Sequence, residues 1–198
     1  MGLPIFLLKV NDDDSIGWDY TALVDKPATG EIWQAFNKQP EYKYQFTVQS
    51  EEKRIVMGAL MVADLPILRK NPDGSEFLVV FDAANIDLAL QKVAKLGFAK
   101  NVNEMHDPNK KVADIFMYQQ WIINKEMGIN VPKGFNELPD GSAFGVFKVN
   151  NDQVWQDIKS GKFQGFSIEG KFIQEPLPEP SDEDINSMVD ALEGSNLN

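Results

Sequence analysis

Apolar residues along this chain fall mostly in short runs broken by clusters of Gly, Pro, Asn and Asp, a spacing that favours strands over long helices. Residues 3–10, 43–49, 54–63, 76–82, 115–123, 142–149 and 163–173 are β-branched or aromatic enough to read as strands. Their connectors carry turn chemistry. Asn71-Pro72-Asp73-Gly74 and Leu138-Pro139-Asp140-Gly141 each pair a proline, which pre-sets one turn dihedral, with a glycine that frees another. Two segments show helical spacing instead. Over residues 85–97, Ile86, Leu90, Val93 and Leu96 form one apolar stripe, with Asn85 placed to cap the start and Gly97 to end it. Over residues 151–161, Asn151 is the cap, Val154, Trp155 and Ile158 share a side, and Gly161 terminates. The pattern predicts an α+β fold that is mainly β.

The end of the chain departs from this pattern. Residues 175–184 hold three prolines and a cluster of acids, which reads as an extended, solvated linker. Beyond it Ile185, Met188, Val189 and Leu192 give a short amphipathic face after Ser181. Residues 1–174 are therefore expected to form one domain and residues 175–198 an acidic appendage with a short helix.

Charge and composition narrow the function classes. The formal charge of −11 is uneven: residues 175–198 contain seven acids and no Lys or Arg, leaving 23 acids against 19 bases. With only two arginines, Arg54 and Arg69, the chain lacks the basic cluster that phosphate contacts need, so nucleic acid is not an expected partner. No run approaches the ~20 apolar residues of a membrane helix, so no membrane partner is expected. The absence of cysteine excludes disulfides, a cysteine nucleophile and cysteine-based zinc sites.

Candidate chemistry centres on Lys162-Phe163-Gln164-Gly165-Phe166-Ser167-Ile168-Glu169-Gly170-Lys171-Phe172. As a strand, it turns Phe166, Ile168 and Phe172 toward a core and Ser167 and Glu169 to the opposite, outward face. Gly165 and Gly170 bracket the serine, and glycine beside a strand marks a bulge or the close approach of another backbone, such as a substrate chain. Taken alone, a serine between glycines fits a solvent-facing edge strand equally well. A nucleophilic serine needs a base, and the chain has one histidine, His106, in a polar stretch. A histidine-rich zinc site is excluded for the same reason, and neither metal nor cofactor is expected.

The motifs also carry a likeness. Residues 22–36 (ALVDKPATGEIWQAF), 53–70, 76–106, 120–126 (QWIINKE) and 138–172 follow in order and spacing a pattern that resembles the prohead, or capsid maturation, serine proteases of tailed bacteriophages. The resemblance implies a β-barrel with a few flanking helices, as in herpesvirus assemblins. It implies a serine endopeptidase with His106 as base and Ser167 as nucleophile. It also implies scaffold and major capsid proteins as substrates or docking partners, self-processing, a possible homo-oligomer, and a place in the host cytoplasm inside the phage prohead. Aligned on Trp121, the family's acidic third member falls on Gln119, an amide that can accept the imidazole hydrogen bond but brings no charge. Asp107, Asp114 and Glu169 are the acidic substitutes, Glu169 on the face of Ser167. Backbone N–H groups near Gly165 are candidate oxyanion donors. Gln119 leaves a second reading open, a weak or inactive protease fold serving as a structural component of the head.

Overall fold

Three four-stranded sheets account for the strands of the described residues. A computed structural model describes residues 3–26, 45–135 and 137–178; residues 27–36 of the LVD-containing segment and the acidic tail from residue 179 lie outside them. In chain order the elements are β1 (Ile5–Lys9), β2 (Gly17–Val24), β3 (Thr47–Ser50), β4 (Ile55–Met61), β5 (Ile67–Lys70), β6 (Glu76–Val80) and α1 (Ala83–Leu96). There follow β7 (Val102–Glu104), β8 (Asp107–Lys111), β9 (Ile115–Ile122), β10 (Ala143–Val149), α2 (Asp152–Lys159), β11 (Gly165–Lys171) and β12 (Ile173–Pro176). The sheet orders are β12-β1-β6-β5, β3-β4-β10-β9 and β11-β2-β7-β8. The mainly-β α+β expectation holds, but the sheets are open and do not close into one barrel. Closure depends on register around a whole sheet, which local hydrophobic alternation does not encode.

The β3-β4-β10-β9 sheet is covered on both faces, which explains why its central strands read as continuous apolar runs. On β10, Ala143, Phe147 and Val149 enter the main core, whereas Phe144 and Val146 enter a second cluster with Met57, Ala59, Ile123 and Leu138. Trp121 stacks on Phe144 there, with ring centroids 5.7 Å apart.

Two sequence expectations are corrected at the ends of elements. Helix α1 is capped by Asp82, whose carboxylate accepts from the Asn85 N–H at 2.7 Å. Asn85 is instead buried inside the helix, its Oδ1 accepting from the Val10 N–H at 2.8 Å. Gly97 does close the helix, at φ 72. Asn151 caps α2 as expected, accepting from the Val154 N–H at 3.0 Å. Residues 175 and 176, expected to open the linker, belong instead to β12, which pairs with β1 through Pro176. Lys9 Nζ lies 2.7 Å from Glu175 Oε2, and the Leu177 N–H donates to the Ile5 carbonyl. Among the described residues no helix is long and apolar enough to cross a membrane.

Candidate active site

Ser167, Ala22 and Asn103 form one row across three strands. Strand β11 pairs antiparallel with β2, setting Ser167 opposite Ala22, and β2 pairs parallel with β7, setting Ala22 beside Asn103. Directly opposed residues share a sheet face, so a methyl group alone separates the hydroxyl from the amide. Ser167 is 5% exposed. The sequence turned it outward correctly as to face, but that face is covered rather than open.

The cover is His106, which sits in a two-residue turn between β7 and β8, with Glu104 paired to Asp107. Both turn residues, Met105 and His106, have positive φ, 52 and 58. A two-residue hairpin matches the twist of its strands only with φ positive at both central positions, which Asn-Gly satisfies at little cost. Met and His each pay about 1–2 kcal/mol there. The turn is held in place by the Met105 N–H donating to the Leu23 carbonyl at 3.0 Å. Strain of this kind collects where geometry serves a function. Here it swings the imidazole back over the row, placing His106 Nε2 3.0 Å from Ser167 Oγ.

Glu169 completes the group: its Oε2 lies 3.4 Å from His106 Nδ1 and accepts from Asn103 Nδ2 at 2.7 Å. Gln119 does not join it. That residue lies exposed on β9, opposite Val146, in a different sheet from His106 and Ser167. The carboxylate of Asp107 is turned to its own loop, accepting from the Asn109 N–H at 2.9 Å. Asp114 stands at φ 63 between β8 and β9, and its carbonyl accepts from the Asn150 N–H. The structure therefore brings His106 and Ser167 together, sets Glu169 rather than Gln119 beside the imidazole, and adds Asn103, which the sequence reading did not single out.

The three side chains line a cavity of about 1060 Å³ between β11 and the β12-β1-β6-β5 sheet. Leu68, Phe77, Val79, Phe81 and Phe172 give it an apolar wall, while Asp25, Lys26, Arg69, Lys70 and Lys171 add charge. Nearby, burial raises the Asp19 carboxyl above its ordinary range, Lys171 opposing this and Glu169 reinforcing it. Gly170 is needed for a reason other than the expected substrate approach. A Cβ there would stand 1.9 Å from the Gly17 carbonyl oxygen of β2, where the β11–β2 register shifts. Gly170→Ala is expected to force the strands apart beside Glu169, lowering stability by about 1–3 kcal/mol. Thermal denaturation checks this; an unchanged melting temperature would show that the two backbones are not locked.

One family model matches the chain, over residues 43–174, and is described as "Putative phage serine protease XkdF". The chain belongs to this XkdF family. The XkdF match spans His106, Ser167, Glu169 and Asn103, while β1 and β2 precede it. No curated protein and no solved structure matches this XkdF-family chain.

Proposed function

We propose that the protein is the endopeptidase that cleaves scaffold and inner capsid proteins during phage head maturation and processes itself. The observation that carries this reading is the 3.0 Å contact between Ser167 Oγ and His106 Nε2 at the floor of a cavity of about 1060 Å³. With its proton on Nδ1 facing Glu169, the imidazole presents the Nε2 lone pair to the hydroxyl. His106 takes the Ser167 proton as Oγ attacks the scissile carbonyl. The imidazolium then returns that proton to the leaving amine, and water, activated by the same base, clears the acyl-enzyme. Glu169 stabilises the imidazolium, a charge that Gln119, put in the third place by the sequence pattern, could not supply.

Substrate binds as an added strand along β11, which is an edge strand of its sheet. On β2, Val24 accepts from the Gln164 N–H while Thr21 and Leu23 bond toward β7. By alternation Ala22 bonds to Ser167 within the ladder, leaving the main-chain groups of Ile168 on the open edge. The head-structural alternative drew its force from an uncharged third partner; Glu169 beside His106 favours the active reading over it.

The test is mass spectrometry of the wild-type chain and Ser167→Ala, each incubated with the cognate scaffold and capsid proteins. Wild type is expected to yield discrete fragments that the variant does not. Intact substrates with both proteins, at the concentrations reached inside a prohead, would overturn the proposal.

A further inference from the structure

Asn103 is a buried polar side chain for which the acyl-transfer scheme has no use. It is 1% exposed and lies on β7 in register with Ala22, the residue that faces Ser167. Its Nδ2 donates to Glu169 Oε2, the same oxygen that lies 3.4 Å from His106 Nδ1. A carboxylate only accepts, so the amide nitrogen must be the atom turned toward Glu169. That orientation leaves Asn103 Oδ1 buried without a hydrogen-bond partner. Leucine, of nearly the same size, would fill the site with no polar atom to strand. What the asparagine does that leucine would not is hold one oxygen of Glu169.

Glu169 needs holding. Its side chain is 33% exposed, that of His106 43%, and the contact between them is long. A glutamate with rotatable bonds and access to water spends time away from a partner unless something fixes it. Asn103 reaches it from the central part of the sheet, where the backbone is fixed on both sides by β2 and β8.

We propose that Asn103 is a positioning residue: by anchoring Glu169 Oε2 it keeps the carboxylate at His106 Nδ1, and so sets the tautomer and orientation of the imidazole facing Ser167. The consequence for catalysis rests on the protease reading; the effect on the imidazole does not. Other charged groups also face this histidine. Glu104 and Asp107 flank its turn, Asp25 and Lys26 follow β2, Lys171 shares β11 with Glu169, and Arg69 and Lys70 stand across the cavity. None of these holds the Nδ1 side of the ring as Glu169 does.

The chain has a single histidine, so its ring nitrogens can be followed without ambiguity. The experiment compares wild type, Asn103→Leu, Glu169→Gln and the double variant by long-range ¹H–¹⁵N NMR across pH, with kinetics on a scaffold-derived peptide. Thermal melts confirm that each is folded, and Asn103→Ala replaces the leucine variant if that one does not fold. Wild type is expected to hold the Nδ1–H tautomer. Asn103→Leu is expected to mix the tautomers, since the Nδ1 proton loses its fixed acceptor. Its kcat is expected to fall about 10- to 100-fold at unchanged KM. In the Glu169→Gln background the same substitution is expected to change neither quantity further. A wild-type tautomer in folded Asn103→Leu would overturn the proposal, and so would an additive loss in the double variant. If no chain cleaves peptide but the imidazole responds as described, the positioning role stands and the protease reading fails.

Discussion

His106→Asn is expected to lower kcat about 10³- to 10⁴-fold on a scaffold-derived substrate while leaving KM and the melting temperature close to wild type. The loss follows from the proton: Ser167 is a weak nucleophile until a base within hydrogen-bond reach accepts it, and His106 Nε2 stands at 3.0 Å. With one histidine in the chain, no second imidazole can substitute. Asparagine is the informative replacement because residue 106 has φ 58, a conformation that Asn adopts more readily than Ala. The turn then survives and the base alone is lost. Substrate contacts along the β11 edge and the apolar cavity wall do not involve the imidazole, which is why KM should hold. Combining this change with Ser167→Ala should add little, since the two groups act as one unit. Steady-state kinetics decides: a variant retaining more than about a tenth of wild-type turnover would show that His106 is not the base.

The meeting of His106 and Ser167 was legible because so few residues could form such a pair. One histidine and one serine bracketed by glycines left little choice once a nucleophile was sought. The third partner was not legible in the same way. Aligning on Trp121 led to Gln119, yet Trp121 belongs to a strand whose neighbours are Phe144 and the second hydrophobic cluster, not the nucleophile. Glu169 was within reach of local reasoning, because two positions along a strand return a side chain to the same face. Asn103 was not, since its place beside Ala22 comes from a parallel pairing between segments about 80 residues apart. The same distinction runs through the fold. Strands β4 and β10 announce themselves by apolar content. Strand β8, Asp-Pro-Asn-Lys-Lys, carries no apolar residue and is a strand only because the tight turn at Met105 and His106 folds it onto β7. Burial of Ser167 was hidden for a related reason: alternation gives the face of a residue, whereas what covers that face, here the His106 turn, comes from strands distant in sequence.

Phe147→Ala is expected to cost about 3–5 kcal/mol, the usual range for deleting a fully buried aromatic ring. For a chain of this size that corresponds to a melting temperature lower by about 6–20 °C. Phe147 is 0% exposed on β10, where it pairs with Val56 on one side and Met117 on the other. Its ring lies 4.4 Å from that of Phe166 at 29°, and Phe166 in turn meets Phe46 at 5.1 Å. Gly58 on β4 leaves the space: a Cβ there would come within 3.1 Å of the Phe166 ring. Phe147 thus ties the β3-β4-β10-β9 sheet to β11 at Phe166, one residue before Ser167. Truncating it removes the floor on which Phe166 rests, so a second effect is expected in the molecules that remain folded, a drop in kcat as Ser167 loses its fixed distance to His106. Leu78→Ala separates the two effects, because Leu78 is equally buried but belongs to a cluster with Ile5, Leu68 and Val80. It should destabilise by about 2–5 kcal/mol and leave turnover per folded molecule unchanged. Equal turnover per folded molecule in the two variants would mean that the aromatic stack supports the fold without positioning the serine.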